Sequence, residues 1–139
     1  MTQVTISRVT EPRKAQIKAH TAGHRAFAVH LPLVQGRNAT PARDGYIVTH
    51  LRSGLVVSYK SFKRVATARQ VARCLQQIVD RCGDFGRFGD ASDAHSHPAY
   101  RALEHLLELI TSRGWNEDLS SEHAAVLVDA AVFRAREPR

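Results

Sequence analysis

The segment that follows Gly83 concentrates side chains that could do chemistry. Asp93, His95 and His97 alternate along it. On an extended backbone such residues project to the same side, which is a spacing compatible with a carboxylate and imidazole metal site. Paired ligands do not occur elsewhere in the sequence, so we expect no metal and keep these three residues only as the candidates for one. The favoured alternative is a solvated loop that ends in a helix cap at Ser96.

Nucleophilic and cofactor chemistry lack their usual sequence patterns. Cys74 lies beside the apolar stripe of a predicted helix, where a thiol is usually inert, and no serine stands in a Gly-x-Ser-x-Gly elbow. The triplet Asp84-Phe85-Gly86 matches a kinase metal-binding motif in its letters, but no glycine-rich nucleotide loop or catalytic loop accompanies it. We therefore expect no cofactor, and an enzymatic function is an open alternative that the sequence disfavours.

A basic segment between a predicted hairpin and the first predicted helix is the main functional signal. Its aromatic residues are Tyr59 and Phe62, and its cations, together with one at the hairpin tip, are Arg52, Lys60, Lys63, Arg64, Arg69 and Arg73. Cations that share a face can contact phosphates, and adjacent aromatic rings can stack on exposed bases. These six cations are the candidate binding site for DNA, RNA or an acidic protein. The alternative is that they are simply solvated.

Charge is divided unevenly along the chain. The 139 residues have a formal net charge of +7. Residues 1–73 contain thirteen Lys and Arg against two acids, a net of +11, whereas residues 74–139 contain seven against eleven, a net of −4. This division favours one basic surface directed at a polyanion over a uniformly charged coat.

Two functions of different class fit these residues. The first is a nucleic-acid-binding accessory or regulatory protein without catalytic activity. The second is a protein-binding inhibitor or adaptor, such as mobile elements encode, that engages an acidic partner or a nucleic-acid-handling complex. No apolar stretch approaches the roughly 18 residues of a membrane span, and the start lacks the apolar core of a signal peptide. We therefore expect a cytoplasmic protein with no membrane partner.

Periodicity predicts the α+β scaffold that positions these residues: a small antiparallel sheet of three to four strands, followed by three helices packed on one face. Residues 46–60 form the clearest hairpin, with a three-residue loop, Arg52-Ser53-Gly54, whose glycine is left-handed. In that register Leu51 faces Leu55. The apolar face that receives a helix then consists of Ile47, Thr49, Leu51, Leu55, Val57 and Tyr59.

The chain before the hairpin supplies the other strands. Residues 25–31 alternate as a third strand, and residues 4–9 are a candidate fourth. Residues 11–20 fit either a short basic helix or a mobile arm. We expect a single domain over residues 1–139, with a flexible basic arm at 1–22, the sheet at 23–66 and a helical part at 67–139.

Three helices are predicted in the second half. The first covers residues 68–82, with Thr67 as its cap and Gly83 as its end. The second covers residues 98–113 and opens at Pro98. The third covers residues 120–136 and is apolar on nearly every side, so we expect it to be either central to the core or the interface of a homodimer.

Overall fold

The fold is that of a computed structural model, which describes residues 2–7, 14–34, 36–58, 61–86, 95–113 and 121–136. Within these ranges four strands precede three helices, which confirms an α+β chain. The elements are β1 (Thr2–Ser7), β2 (Lys14–Ala19), β3 (Phe27–His30), β4 (Ile47–His50), α1 (Val65–Cys82), α2 (Pro98–Arg113) and α3 (Ser121–Ala135).

The strands form two antiparallel pairs instead of the one sheet expected. β1 pairs with β2, and β3 pairs with β4. Between the pairs, His20 and Val29 exchange both backbone hydrogen bonds, at 2.9 and 3.0 Å. The prediction of a helix or mobile arm over residues 11–20 was wrong for 14–19. Cross-strand pairing with β1 outweighs the helical propensity of a segment rich in Ala, Lys and Gln.

The chain turns back after β4 in a register one residue away from the predicted hairpin. The His50 backbone N–H donates to the Leu55 carbonyl at 2.8 Å, and Thr49 pairs with Val56. The turn therefore spans residues 51–54, and Gly54 is left-handed as expected, with a φ of 75°.

This one-residue slip exchanges the two faces of β4. Val48 and His50 are fully buried on the side of the helices, where the prediction had Ile47 and Thr49. Val57 does lie in the core, as expected. The regular cross-strand pairing predicted for residues 46–60 also ends early. Tyr46 pairs with Phe62, so the returning segment between Val56 and Phe62 has more residues than continuous pairing with β4 would need.

The main core lies between α1 and the pair of strands β3 and β4. The predicted stripe of α1 is buried, and the helix ends at Gly83, whose φ is 87°. It starts at Val65, three residues earlier than predicted, so Thr67 is a buried residue of the first turn and not the cap.

The other two helices form a further layer. α2 and α3 pack against each other and against α1, so α1 is the helix that carries the contacts with β3 and β4. The expectation of three helices on one sheet face was wrong in this respect. None of the described helices has the length and apolar character needed to cross a bilayer.

α3 has a buried side and an exposed apolar side. The buried side consists of Ala124, Val128, Ala131, Val132 and Ala135. On the other side Val126 and Phe133 are 62% and 68% exposed. The helix therefore belongs to the core and also presents an apolar stripe, and the homodimer stays a prediction.

Candidate nucleic-acid interface

The six predicted cations occupy several separate places. Lys60 lies outside the described residues. Lys63 Nζ donates to the Ala42 carbonyl at 2.8 Å and so fastens the turn before β4. Arg52 is exposed in the turn after β4, beside His50. Arg64 is the exposed residue that precedes the first turn of α1. Lys63 therefore contacts the turn before β4 and Arg52 lies in the turn after it, whereas Arg64, Arg69 and Arg73 belong to the start and the body of α1.

Arg69 and Arg73 instead meet the turn that leads into β3. Arg69 Nη2 donates to the Ala22 carbonyl at 3.1 Å, and its Nε lies 3.5 Å from His24 Nε2. Arg73 lies over Gly23, since a Cβ placed on that glycine would be 3.5 Å from Arg73 Nε. These two arginines, with His24 and the neighbouring His20, are called the Arg69 cluster below.

The His24 ring orients the cluster. It is completely buried, and its Nδ1 lies 2.9 Å from the Phe27 carbonyl, which can only accept. The proton is therefore assigned to Nδ1, and Nε2 presents its lone pair to Arg69. Burial, helped by the positive charges of Arg69 and Arg73, lowers the pKa of His24 despite the hydrogen bond to Phe27. The ring is thus a neutral acceptor at neutral pH.

The positive charge of the cluster is not compensated by any acid among the described residues. Among the described residues, no carboxylate lies within ion-pair distance of Arg69 or Arg73. Arg37 is different: two of its nitrogens donate to the Asp44 carboxylate at 2.6 and 2.7 Å, and they hold the pKa of that carboxyl well below its usual range. The basic half thus contains both neutralised arginines and the uncompensated pair on α1.

A polar chain that the sequence analysis missed lies at the other end of α1. Ser53 Oγ is 2.7 Å from His50 Nδ1, and His50 Nε2 is 2.6 Å from Asp84 Oδ1. The His50 ring is fully buried and stacks on Phe85 with ring centroids 3.9 Å apart. Because Asp84 accepts the Nε2 proton, Nδ1 accepts from the Ser53 hydroxyl.

The hydrogen bonds of Ser53, His50 and Asp84 follow the order of a catalytic triad, but their surroundings are those of a structural contact. These three residues are called the latch below. Ser53 is only 1% exposed, and its Oγ also accepts from the Leu55 backbone N–H at 3.2 Å. A nucleophile needs an open position for the reacting carbon, which a buried turn hydroxyl lacks. The latch ties the turn after β4 to the residues after α1. In the kinase-like triplet, Asp84 thus accepts a hydrogen bond from His50 and Phe85 stacks on the His50 ring.

The metal candidates have other partners. His95 Nε2 lies 3.0 Å from the Tyr100 hydroxyl. His97 Nδ1 accepts from the Ala99 backbone N–H at 3.1 Å, so His97 caps the start of α2 instead of Ser96. Asp93 lies outside the described residues. In the described part of the chain no three His, Cys, Asp or Glu side chains are placed to hold a metal ion.

Comparison with known proteins returns no match for this chain, whether with protein-family models, curated proteins or solved structures. A function is therefore inferred from the chemistry of its own residues.

Proposed function

We propose that this chain is a cytoplasmic, non-catalytic nucleic-acid-binding protein that contacts phosphate groups through the Arg69 cluster. The observation that carries the proposal is the partly buried residue Arg69, whose guanidinium two neutral acceptors hold in place and no described carboxylate neutralises. We propose an accessory or regulatory role for this chain.

The environment of Arg69 favours an anionic ligand on energetic grounds. Partial burial removes hydration from the charge, and neutral partners replace that hydration without supplying an opposite charge. A phosphate would supply it. A guanidinium has five N–H donors, and Ala22 and His24 engage two of them, so three are left for the oxygens of an anion. Because the side chain is already held in position, binding costs little further conformational entropy.

Neighbouring cations extend the surface beyond one phosphate. Arg73 is exposed one helical turn further along α1. Lys18 is exposed on β2, two residues before His20. A surface of this size neutralises about two to four phosphates, which corresponds to a slope of roughly −2 to −4 in log affinity against log salt on duplex DNA.

The experiment is an anisotropy titration of labelled single-stranded DNA, duplex DNA and RNA between about 50 and 200 mM salt. The double variant Arg69→Gln/Arg73→Gln should bind more weakly and lose about one unit of slope per phosphate contact removed. The matched control is Arg37→Gln/Arg43→Gln, which removes the same charge from arginines that pair with Asp44. It should keep most of the affinity and the slope.

Two results would overturn this proposal. One is no measurable binding to any of the three nucleic acids at low salt, which leaves an acidic protein as the alternative ligand of the cluster. The other is an equal loss of affinity in the two double variants, since that would show only a dependence on net charge. Circular dichroism spectra would confirm that both variants keep the fold.

The exposed side of α3 favours a second function, which is self-association. Val126, Ala130 and Phe133 follow one another at helical spacing on that side. In an antiparallel pair of α3 helices, Val126 of one copy faces Phe133 of the other, and Glu122 lies near Arg136, an oppositely charged and equally exposed residue. We therefore propose a homodimer through α3, which would place two Arg69 clusters in one particle and raise avidity.

Sedimentation of the wild-type chain and of Val126→Glu over a range of concentrations tests the homodimer. A dimer that the variant converts to a monomer supports it. A wild-type chain that stays monomeric at every concentration overturns it and leaves the nucleic-acid proposal intact.

A further inference from the structure

We propose that the Arg69 cluster binds a phosphodiester group with uptake of one proton by His20, so that acidification strengthens nucleic-acid binding. This inference rests on the proposed function and assigns separate roles to the two histidines of the cluster. His20 is the group that changes its protonation state, and His24 is a positioning residue that stays neutral.

The backbone places His20 at the edge of the cluster. Its N–H and C=O are both bonded to Val29, at the bridge between the two pairs of strands. Two residues later the Ala22 carbonyl accepts from Arg69. His20 is therefore attached by a short segment to the acceptor that holds the guanidinium, and the residue is half-buried there.

His20 lies in a positive environment. Burial lowers its pKa most, followed by the charges of Arg69 from α1 and of the chain's amino terminus. Without a ligand the ring is therefore neutral at neutral pH. Arg73 adds its charge at His24, on the same side of the cluster. None of the described residues that act on the pKa of His20 is an anion with which a protonated ring could pair.

A bound phosphodiester reverses the electrostatic balance at His20. An opposite charge at short range favours the protonated ring and so raises the pKa of His20, and the imidazolium then offers an additional donor to the phosphate. By linkage, a ligand that raises the pKa must bind more tightly where the ring is protonated. Each unit by which the ligand raises the pKa permits up to about a tenfold gain in affinity.

His24 cannot take the same role. Its Nδ1 proton is donated to the Phe27 carbonyl, and its Nε2 lone pair faces Arg69 Nε at 3.5 Å. A second proton on Nε2 would point at a guanidinium N–H, and the His24 ring is fully buried, so it could not turn that proton to water. His24 therefore holds Arg69 as a neutral acceptor.

The test measures affinity for a labelled oligonucleotide at low salt from about pH 8 to about pH 5.5. A phosphodiester is the right probe because its charge is constant in this range, whereas a phosphate monoester changes charge near a pKa of about 6. Wild-type affinity should rise as the pH falls. His20→Gln should match the wild type near pH 8 and lose the rise, and the control His95→Gln should keep it.

Proton NMR of the histidine ring signals follows the titration of His20 directly in the full chain. Saturating oligonucleotide should raise the pKa of His20. In His24→Gln, where a side-chain acceptor is retained at a similar place, affinity should fall by a similar factor at every pH while the pH profile keeps its shape. That pattern separates positioning from titration.

The possible failures are distinguishable. Binding that is independent of pH, or a pH dependence that persists in His20→Gln, overturns this inference and leaves the proposed function standing. Absence of oligonucleotide binding overturns both. If inorganic phosphate raises the pKa of His20 and the oligonucleotide does not, the cluster is a phosphate site and its assignment to nucleic acid is wrong.

Discussion

Replacement of Asp84 by alanine would test whether the Ser53, His50 and Asp84 latch contributes to stability. Asp84 Oδ1 accepts from His50 Nε2 at 2.6 Å and from the Phe85 backbone N–H at 2.9 Å. His50 is fully buried, so after the substitution its Nε2 proton has no protein acceptor in that contact. The imidazole cannot turn to find one, because Phe85 stacks on its face and Ser53 engages its other nitrogen.

The expected loss follows from the two hydrogen bonds. A buried donor left without a partner costs about 1–3 kcal/mol, and a lost backbone bond adds about 0.5–1.5 kcal/mol. The Asp84 side chain is 31% exposed, so water can replace part of what it supplied, which favours a total near the lower end, about 2 kcal/mol. With an unfolding entropy of roughly 2.1 cal/mol/K per residue over 139 residues, that lowers Tm by about 7 °C.

Urea unfolding and thermal melting of Asp84→Ala measure this loss. The matched control is Asp129→Ala, which removes a carboxylate that pairs with Arg81 but is 67% exposed. Its cost should stay below about 1 kcal/mol. In a His50→Phe background the ring at position 50 can still stack on Phe85 but has no N–H to donate. Asp84→Ala should therefore lower the free energy of unfolding much less in that background. Equal losses for Asp84→Ala and Asp129→Ala, or the same loss in both backgrounds, would refute the latch.

Three further predictions concern stability and reactivity. Burial lowers the pKa values of His20, His24, His30 and His50 below the ordinary value of 6.5. As the pH falls, these histidines bind protons in the unfolded chain before they do so in the folded chain. The stability of the fold above about pH 6.5 should therefore be lost as the pH falls, and a urea midpoint that is unchanged down to about pH 5 would contradict this. Gly45→Ala should cost about 2 kcal/mol or more, because its φ is 71° and a Cβ would lie 2.8 Å from Ser61 Oγ. Gly36→Ala, with a φ of 78° and nothing within 4 Å, should cost only about 1 kcal/mol, and equal urea midpoints for the two variants would disprove the steric clash. Burial raises the pKa of Cys74 to about 11. A thiol reagent should therefore modify the half-buried Cys82 in the folded chain and Cys74 only after denaturation. Rapid modification of both cysteines in the folded chain would show that Cys74 is accessible.

Local pattern sufficed for the helices and located β3 and β4, but it did not give the pairing or the register of the strands. The apolar stripe of α1 and its end at Gly83 are confirmed, because helical spacing and a left-handed glycine depend on neighbouring residues only. The strand at residues 14–19 could not be read in the same way, since its hydrogen bonds come from β1. The hairpin register failed by one residue for the same reason: alternation alone allows both registers, and burial of Val48 and His50 against α1 selects one.

The candidate site was predicted only in part. The i, i+4 spacing of Arg69 and Arg73 places them on one face of α1, as expected. Nothing in the spacing indicates that this face meets the turn at residues 21–26, about fifty residues earlier in the chain. The histidines of the cluster therefore carried no signal in the sequence. A stretch with several histidines next to a predicted strand was the only hint available.

By itself the sequence determined the α+β composition, the extent of the helices and the division of charge into a basic and an acidic half, all of which depend on residue type and short-range periodicity. Tertiary structure alone decided which cations stay uncompensated. Asp44 neutralises Arg37 within one loop, whereas Arg69 meets neutral acceptors across the fold. Tertiary structure also decided that Asp84 serves the buried His50. Both outcomes depend on contacts between residues far apart in the chain, whose geometry is set by how α1 packs on β3 and β4.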